Sequence, residues 1–209
     1  MSFILKMIRE GEHQFQDFKL RIDDSHKIAK SLVAFANSEG GRLLIGVRDN
    51  GEIANINPEE ELHMIEAAAT MYCDPPVKYQ SQVWKVDYYR VLEIFIEPSE
   101  NRPHFAINKE KEKRAYLRVK DKNIRANGVQ IEVWKIDKSP KDISFIYDKE
   151  KEKLFKYLRK KNVINFITVS RITKLSFVET EKLIAKLISW EILIINNSDK
   201  SINYSLKVE

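Results

Sequence analysis

Cysteine is nearly absent from this chain: Cys73 stands alone, so no internal disulfide can form and no cysteine pair is available for a zinc site. A lone thiol reads instead as a small core residue. Histidine is scarce as well, with four in all, and His13 beside Glu12 lacks the second histidine that would make it a convincing ligand or base. There is no run of the roughly eighteen apolar residues that a membrane helix needs, and the start Met1-Ser2-Phe3-Ile4-Leu5-Lys6 carries no long apolar region with a small-residue cleavage site. These absences exclude a membrane role and predict a cytoplasmic protein. Neither G-x-x-x-x-G-K-[ST] nor G-x-G-x-x-G occurs, so the six glycines offer no phosphate-cradling loop and no support for ATP binding.

What is present is an apolar content of 43% in 209 residues, enough to build a core in one large domain or two small ones. The net charge of +5 is unevenly spread. Residues 141–209 hold 14 Lys+Arg against 9 Asp+Glu, which accounts for the whole excess. A second local excess lies inside the balanced remainder: Arg102, Lys109, Lys111, Lys113, Arg114, Arg118, Lys120, Lys122 and Arg125 face only Glu110, Glu112 and Asp121. Basic patches of this kind suit a polyphosphate backbone, although a solvated face of mixed charge is the commoner origin of any one charge run.

The pattern of apolar residues predicts mixed α and β structure. Ile28, Leu32, Phe35 and Ala36 recur at helical spacing over 23–39, and Gly40-Gly41 supplies a left-handed stop. Leu43 to Val47 is a short buried strand closed by Asp49-Asn50-Gly51, a turn signal. Asn57-Pro58-Glu59-Glu60 starts a helix, with Asn as cap, Pro in the first turn and acids beside the positive helix end. Alternation predicts strands over 82–87 and 90–97. Further strands are expected over 105–107 and 115–119, flanking a Lys-Glu turn at 109–113, so that the basic patch rides on one hairpin. Residues 123–137 give no decision between strand and helix.

Lys138-Ser139-Pro140-Lys141-Asp142 reads as a domain boundary, after which the pattern turns helical. Helices are expected over 149–160, from a Thr168 cap to Lys174, and over 178–190, followed by strands at 192–196 and 202–206. This is the order of a winged helix. Its third helix would carry Lys182 and Lys186, but also Glu179 and Glu181, and acids near the start of a reading helix are unfavourable beside phosphates. Arg171, Lys174 and the wing residue Lys200 would then supply positioning contacts, and use of the domain for protein contact or homodimerisation is the alternative.

The sharpest chemical candidates are Glu12, Asp17 and Asp49. Two acids five residues apart and a third at a strand end can converge if the two segments are neighbours, and three such carboxylates would take Mg²⁺ or Mn²⁺. The competing reading makes them surface acids, with Asp49 in a turn and Lys19 paired to one of them or free to meet phosphate. Glu12, Phe18-Lys19, Ala34-Phe35-Ala36-Asn37, Gly40-Gly41, Ile45-Gly46-Val47 and Asp49 together resemble the AlbA-like domain of the Schlafen group of nucleic-acid-binding proteins, over about residues 8–125. Asp17 departs from it, standing where that group usually carries Glu. The resemblance implies a nucleic-acid-binding role, and some members use acids at the positions of Glu12, Asp17 and Asp49 for metal-dependent RNA cleavage; Lys19 joins them as a catalytic candidate.

The fold class expected is therefore α+β: a mixed Schlafen/AlbA-like α/β domain over 1–138 and a small winged helix-turn-helix domain over 139–209. The leading functional expectation is a transcriptional regulator that binds nucleic acid, DNA ahead of RNA, with no cofactor required for binding. The alternative is an endoribonuclease dependent on Mg²⁺ or Mn²⁺.

Overall fold

The computed structural model describes residues 3–138, 147–197 and 201–207, and its contacts divide the chain into two compact units, residues 1–126 and 127–209. In the first unit, α1 (Phe3–Glu10), β1 (Gln16–Lys19), α2 (Ser25–Asn37), β2 (Gly41–Ile45) and α3 (Pro58–Met71) lead to β3 (Cys73–Asp74), β4 (Gln80–Val86) and β5 (Tyr89–Ile96). Four of these strands form a sheet of order β1-β2-β5-β4. β1 runs parallel to β2, which pairs antiparallel with β5, and β5 with β4.

Alternation along the strands supplies a core on each face of this sheet. Leu43 and Ile45 of β2 and Leu92, Ile94 and Ile96 of β5 pack with Ile28, Leu32 and Phe35 of α2 and Ile65 and Ala68 of α3. On the other face, Phe18, Leu44 and Val91 meet Ile4, Met7 and Ile8 of α1. A one-residue slip of β1 against β2 would exchange the two sets, so burial on both faces fixes the register.

The helix starts follow local chemistry. Asp24 caps α2 by accepting from the N–H groups of His26 and Lys27, and Asn57 caps α3, whose first residue is Pro58. α2 stops at the glycine pair. Gly40 has φ +77°, and a Cβ on Gly41 would lie 2.5 Å from the Phe35 ring, so the close return of the chain under α2 excludes a side chain there. Cys73 is buried, and burial pushes its thiol up to about 12. It is a core residue, in line with the reading of the lone cysteine.

The basic stretch forms two hairpins rather than one. β6 (Phe105–Ile107) pairs with β7 (Lys113–Arg114), and β8 (Tyr116–Val119) pairs with β9 (Lys122–Arg125). Each turn has a lysine at positive φ, Lys111 at 61° and Lys120 at 56°.

The second unit contains α4 (Gly128–Asp137), α5 (Lys149–Lys161), β10 (Val163–Asn165), α6 (Phe166–Thr173), α7 (Phe177–Ser189), β11 (Leu193–Asn197) and β12 (Ile202–Leu206). Its three strands form an antiparallel sheet of order β10-β12-β11. Val129 and Val133 of α4, Leu154 and Leu158 of α5, Leu183, Ile184 and Leu187 of α7 and Tyr204 of β12 share one core. Residues 123–137, undecided by periodicity, thus divide into the end of β9 and α4. The contacts group α4 with the residues that follow it, whereas the expected boundary after 138 falls in 139–146, outside the described residues. α6 is capped by Asn165, which accepts from the Thr168 N–H. The cap expected at Thr168 is therefore the donor of that bond, and the helix begins earlier.

Candidate functional site

Glu12, Asp17 and Lys19 come together around β1, whose residues Gln16 to Phe18 are all buried. Because side chains alternate along a strand, Phe18 enters the α1 side of the sheet while Asp17, beside Leu43, points to the α2 side. There it meets two cations. Lys19 Nζ is 2.8 Å from Asp17 Oδ2, and the Arg118 guanidinium is 3.3 Å from Asp17 Oδ1. Glu12 accepts from the Phe18 N–H at 2.9 Å. Desolvation raises the Glu12 pKa, and the Asp17 carboxylate beside it adds to that rise, while the Phe18 N–H and Lys19 oppose it.

Asp49 is not part of this group. It sits exposed in the turn closed by Gly51 N–H donating to Arg48 O, after β2 has ended. Among the described residues no three His, Cys, Asp or Glu side chains are grouped so as to hold a metal ion. The donor set explains why Mg²⁺ or Mn²⁺ does not fit as the side chains stand. A divalent ion needs free carboxylate oxygens, and both oxygens of Asp17 already face protein cations. Two of the three expected ligands are brought together, Asp49 is not, and Lys19 serves as an internal counter-ion.

Arg118 is the principal correction to the basic patch. Its side chain is 1% exposed; it donates to Gln16 O at 3.0 Å, His13 O at 3.3 Å and Asn123 Oδ1 at 3.1 Å, and lies 5.1 Å from the Phe35 ring centroid. Its Nε is buried without a partner. Such a group ties β8 to β1 and to the end of α2 and cannot reach a phosphate backbone. A single basic residue in a run of nine has no sequence mark that separates it from the other eight.

The remaining cations of the stretch are less buried than Arg118. Lys109 contacts Asp24 at 2.9 Å, Lys113 contacts Asp74 at 2.5 Å and Arg114 contacts Glu112 at 2.5 Å. Lys111, Lys120, Lys122 and Arg125 are exposed and Arg102 half-buried. The backbone under Lys120 is held by Gln14, whose Oε1 accepts from the Lys120 N–H and whose Nε2 donates to Arg118 O. This tip is therefore anchored to the loop that carries Glu12. His13, next to Gln14, accepts from the Phe15 N–H through Nδ1 and is 3.8 Å from Glu10, so nothing directs it at the acidic pair.

In the second unit Arg171, Lys174 and Lys182 are exposed and Lys186 half-buried, while Lys200 lies outside the described residues. The two acids of α7 are occupied. Glu179 closes a capping box with Ser176, whose hydroxyl holds its carboxyl below the usual range. Glu181 packs over Gly128 at the start of α4, and burial raises its pKa.

Comparison with known proteins places these features in context. The family described as Schlafen, AlbA_2 matches residues 12–127, a span that ends within one residue of the first unit. No curated protein matches the chain. Among solved structures it is similar to the DIP2311 protein from Corynebacterium diphtheriae, with 20% identity and a TM-score of 0.44 over 61% of this chain and 28% of that one. It is also similar to the N-terminal domain of a protein from Nitrosomonas europaea described as related to the ATP-dependent DNA helicase RecG, with 17% identity and a TM-score of 0.41 over 70% of this chain and 94% of that one. The chain thus spans under a third of the length of DIP2311. No described helix is long and apolar enough to cross a membrane.

Proposed function

The chain belongs to the Schlafen, AlbA_2 family, and from that membership we propose that it binds nucleic acid, duplex DNA ahead of RNA, as a transcriptional regulator. The observation that carries this is the pair of hairpin turns in the first unit. Lys111, Lys120 and Arg125 are exposed and have no acidic partner among the described residues, while Glu112 of the same stretch is engaged by Arg114. Such cations can take up phosphate oxygens without first breaking a salt bridge. In the second unit the order of helix, short strand, two helices and hairpin, with a three-stranded antiparallel sheet, supports the reading of a winged helix. Arg171 and Lys174 at the end of α6 would position it on the backbone.

The test is fluorescence anisotropy with a mixed-sequence duplex across salt. The expected slope of log affinity against log salt is about −0.9 per phosphate neutralised, and changing Lys111, Lys120 and Arg125 together to Ala should weaken binding and flatten the slope. An unchanged titration would remove the hairpins from the interface. The proximity of Glu12 to Asp17 raises a second reading, a metal-dependent endoribonuclease, which would need Asp17 to exchange Lys19 or Arg118 for the ion. Labelled tRNA that is cut with Mn²⁺ and spared with chelator would put that reading first.

A further inference from the structure

α5 presents a row of four lysines of which helix stability accounts for two, Lys156 through its i,i+4 pair with Glu152 and Lys160 through its place in the last turn. Lys149, Lys153, Lys156 and Lys160 are all exposed and follow one another at spacings of four, three and four, which aligns them along one face of a helix. Leu154 and Leu158, buried in the core of the second unit, fall on the opposite face. At about 1.5 Å per residue the row is roughly 16 Å long. Its like charges at i,i+4 and i,i+3 repel, and Lys149 stands in the first turn, where the helix dipole disfavours a cation. The neighbouring acids leave most of the row uncompensated: Glu152 pairs with Lys156 at 2.6 Å, and Glu150 lies off the row and half-buried.

We infer that this face of α5 is a phosphate-binding rail for duplex nucleic acid, and that it, together with the end of α6 and rather than α7, supplies the backbone contacts of the second unit. The inference rests on the nucleic-acid-binding reading above. A duplex carries one charge per about 1.7 Å of axis, so a straight cationic row of this length lies against several phosphates at once, while α7 brings Glu179 to its exposed first turn.

The experiment uses the full chain. Lys149, Lys153, Lys156 and Lys160 are changed together to Ala, and in a control of equal charge Lys6, Lys27, Lys78 and Lys85, exposed residues of the first unit, are changed to Ala. The expected result is a salt slope reduced by about 0.9 for each rail lysine that lies on a phosphate, with a smaller change in the control. Removing like-charge repulsion should leave the melting temperature unchanged or raised; if α5 is lost nonetheless, the central pair Lys153→Gln and Lys156→Gln carries the test. Wild-type affinity with an unaltered slope in the rail variant, or equal losses in both variants, overturns the rail and leaves the broader reading standing. A wild-type chain that fails to bind duplex even at low salt overturns both.

Discussion

Arg118 illustrates how a residue's neighbours in sequence can misstate its role. It stands among nine basic residues, yet its guanidinium is turned inward onto Asp17 and the carbonyls of His13 and Gln16. Removing one partner of a buried ion pair typically costs about 3–5 kcal/mol, because the other charge remains desolvated. Since Lys19 still faces Asp17, Arg118→Ala should lose about 3 kcal/mol in urea unfolding, at the low end of that range. Arg125→Ala, on an exposed site, should stay within about 0.5 kcal/mol. If Arg118→Ala unfolds like the wild type but binds duplex with a flatter salt slope, the buried assignment fails. The sequence offered Glu12, Asp17 and Lys19 as residues that can meet if the segment between the acids turns, and the tight bridge between His13 and Gln16 supplies that turn. It did not disclose that Asp17 has a second cation, because Arg118 is about a hundred residues away in the chain and only the tertiary fold brings it in. Asp49 stays apart, as its reading as a turn residue expects: the strand it follows is next to β1, but the chain turns into solvent before reaching Asp49.

At the scale of elements, those with strong periodicity or strong punctuation were legible. α2 has its glycine stop, α3 its Asn57-Pro58 start, and β4 and β5 their alternation. Short elements without either signal were not: α1 has eight residues and β10 has three. Capping was readable only to within one turn. Thr168 and Asn165 are both suitable cap residues three positions apart, and the choice is decided by where β10 ends. Because Asn165 accepts from the Thr168 N–H at 2.9 Å, Asn165→Ala should destabilise the second unit by about 1 kcal/mol. Thr168→Ala, which keeps that N–H, should cost less than half as much. A urea series on both variants checks this, and a larger loss for Thr168→Ala would mean that the helix begins where the sequence pattern first suggested.

For the whole molecule the question is where it divides. A polar stretch containing Pro140 reads as a linker, but composition reports only where a chain is easily cut, whereas packing reports which pieces need each other. Val129 and Val133 of α4 are buried in the same core as Leu183, Ile184 and Leu187 of α7, and the family match stops at 127, before α4 begins. Burying an aliphatic side chain contributes about 1.5–3 kcal/mol, so deleting α4 removes at least two such contributions and leaves a face of α7 in water. For a unit of this size that is a large share of a total stability of about 5–15 kcal/mol. Residues 1–126 should therefore fold alone with a cooperative thermal transition, and residues 127–209 likewise. A fragment of 139–209, cut at the polar stretch, should melt broadly or at a clearly lower temperature by circular dichroism. If it instead melts as cooperatively as 127–209 and at the same temperature, α4 is an appendage of the second unit, and the division belongs after 138.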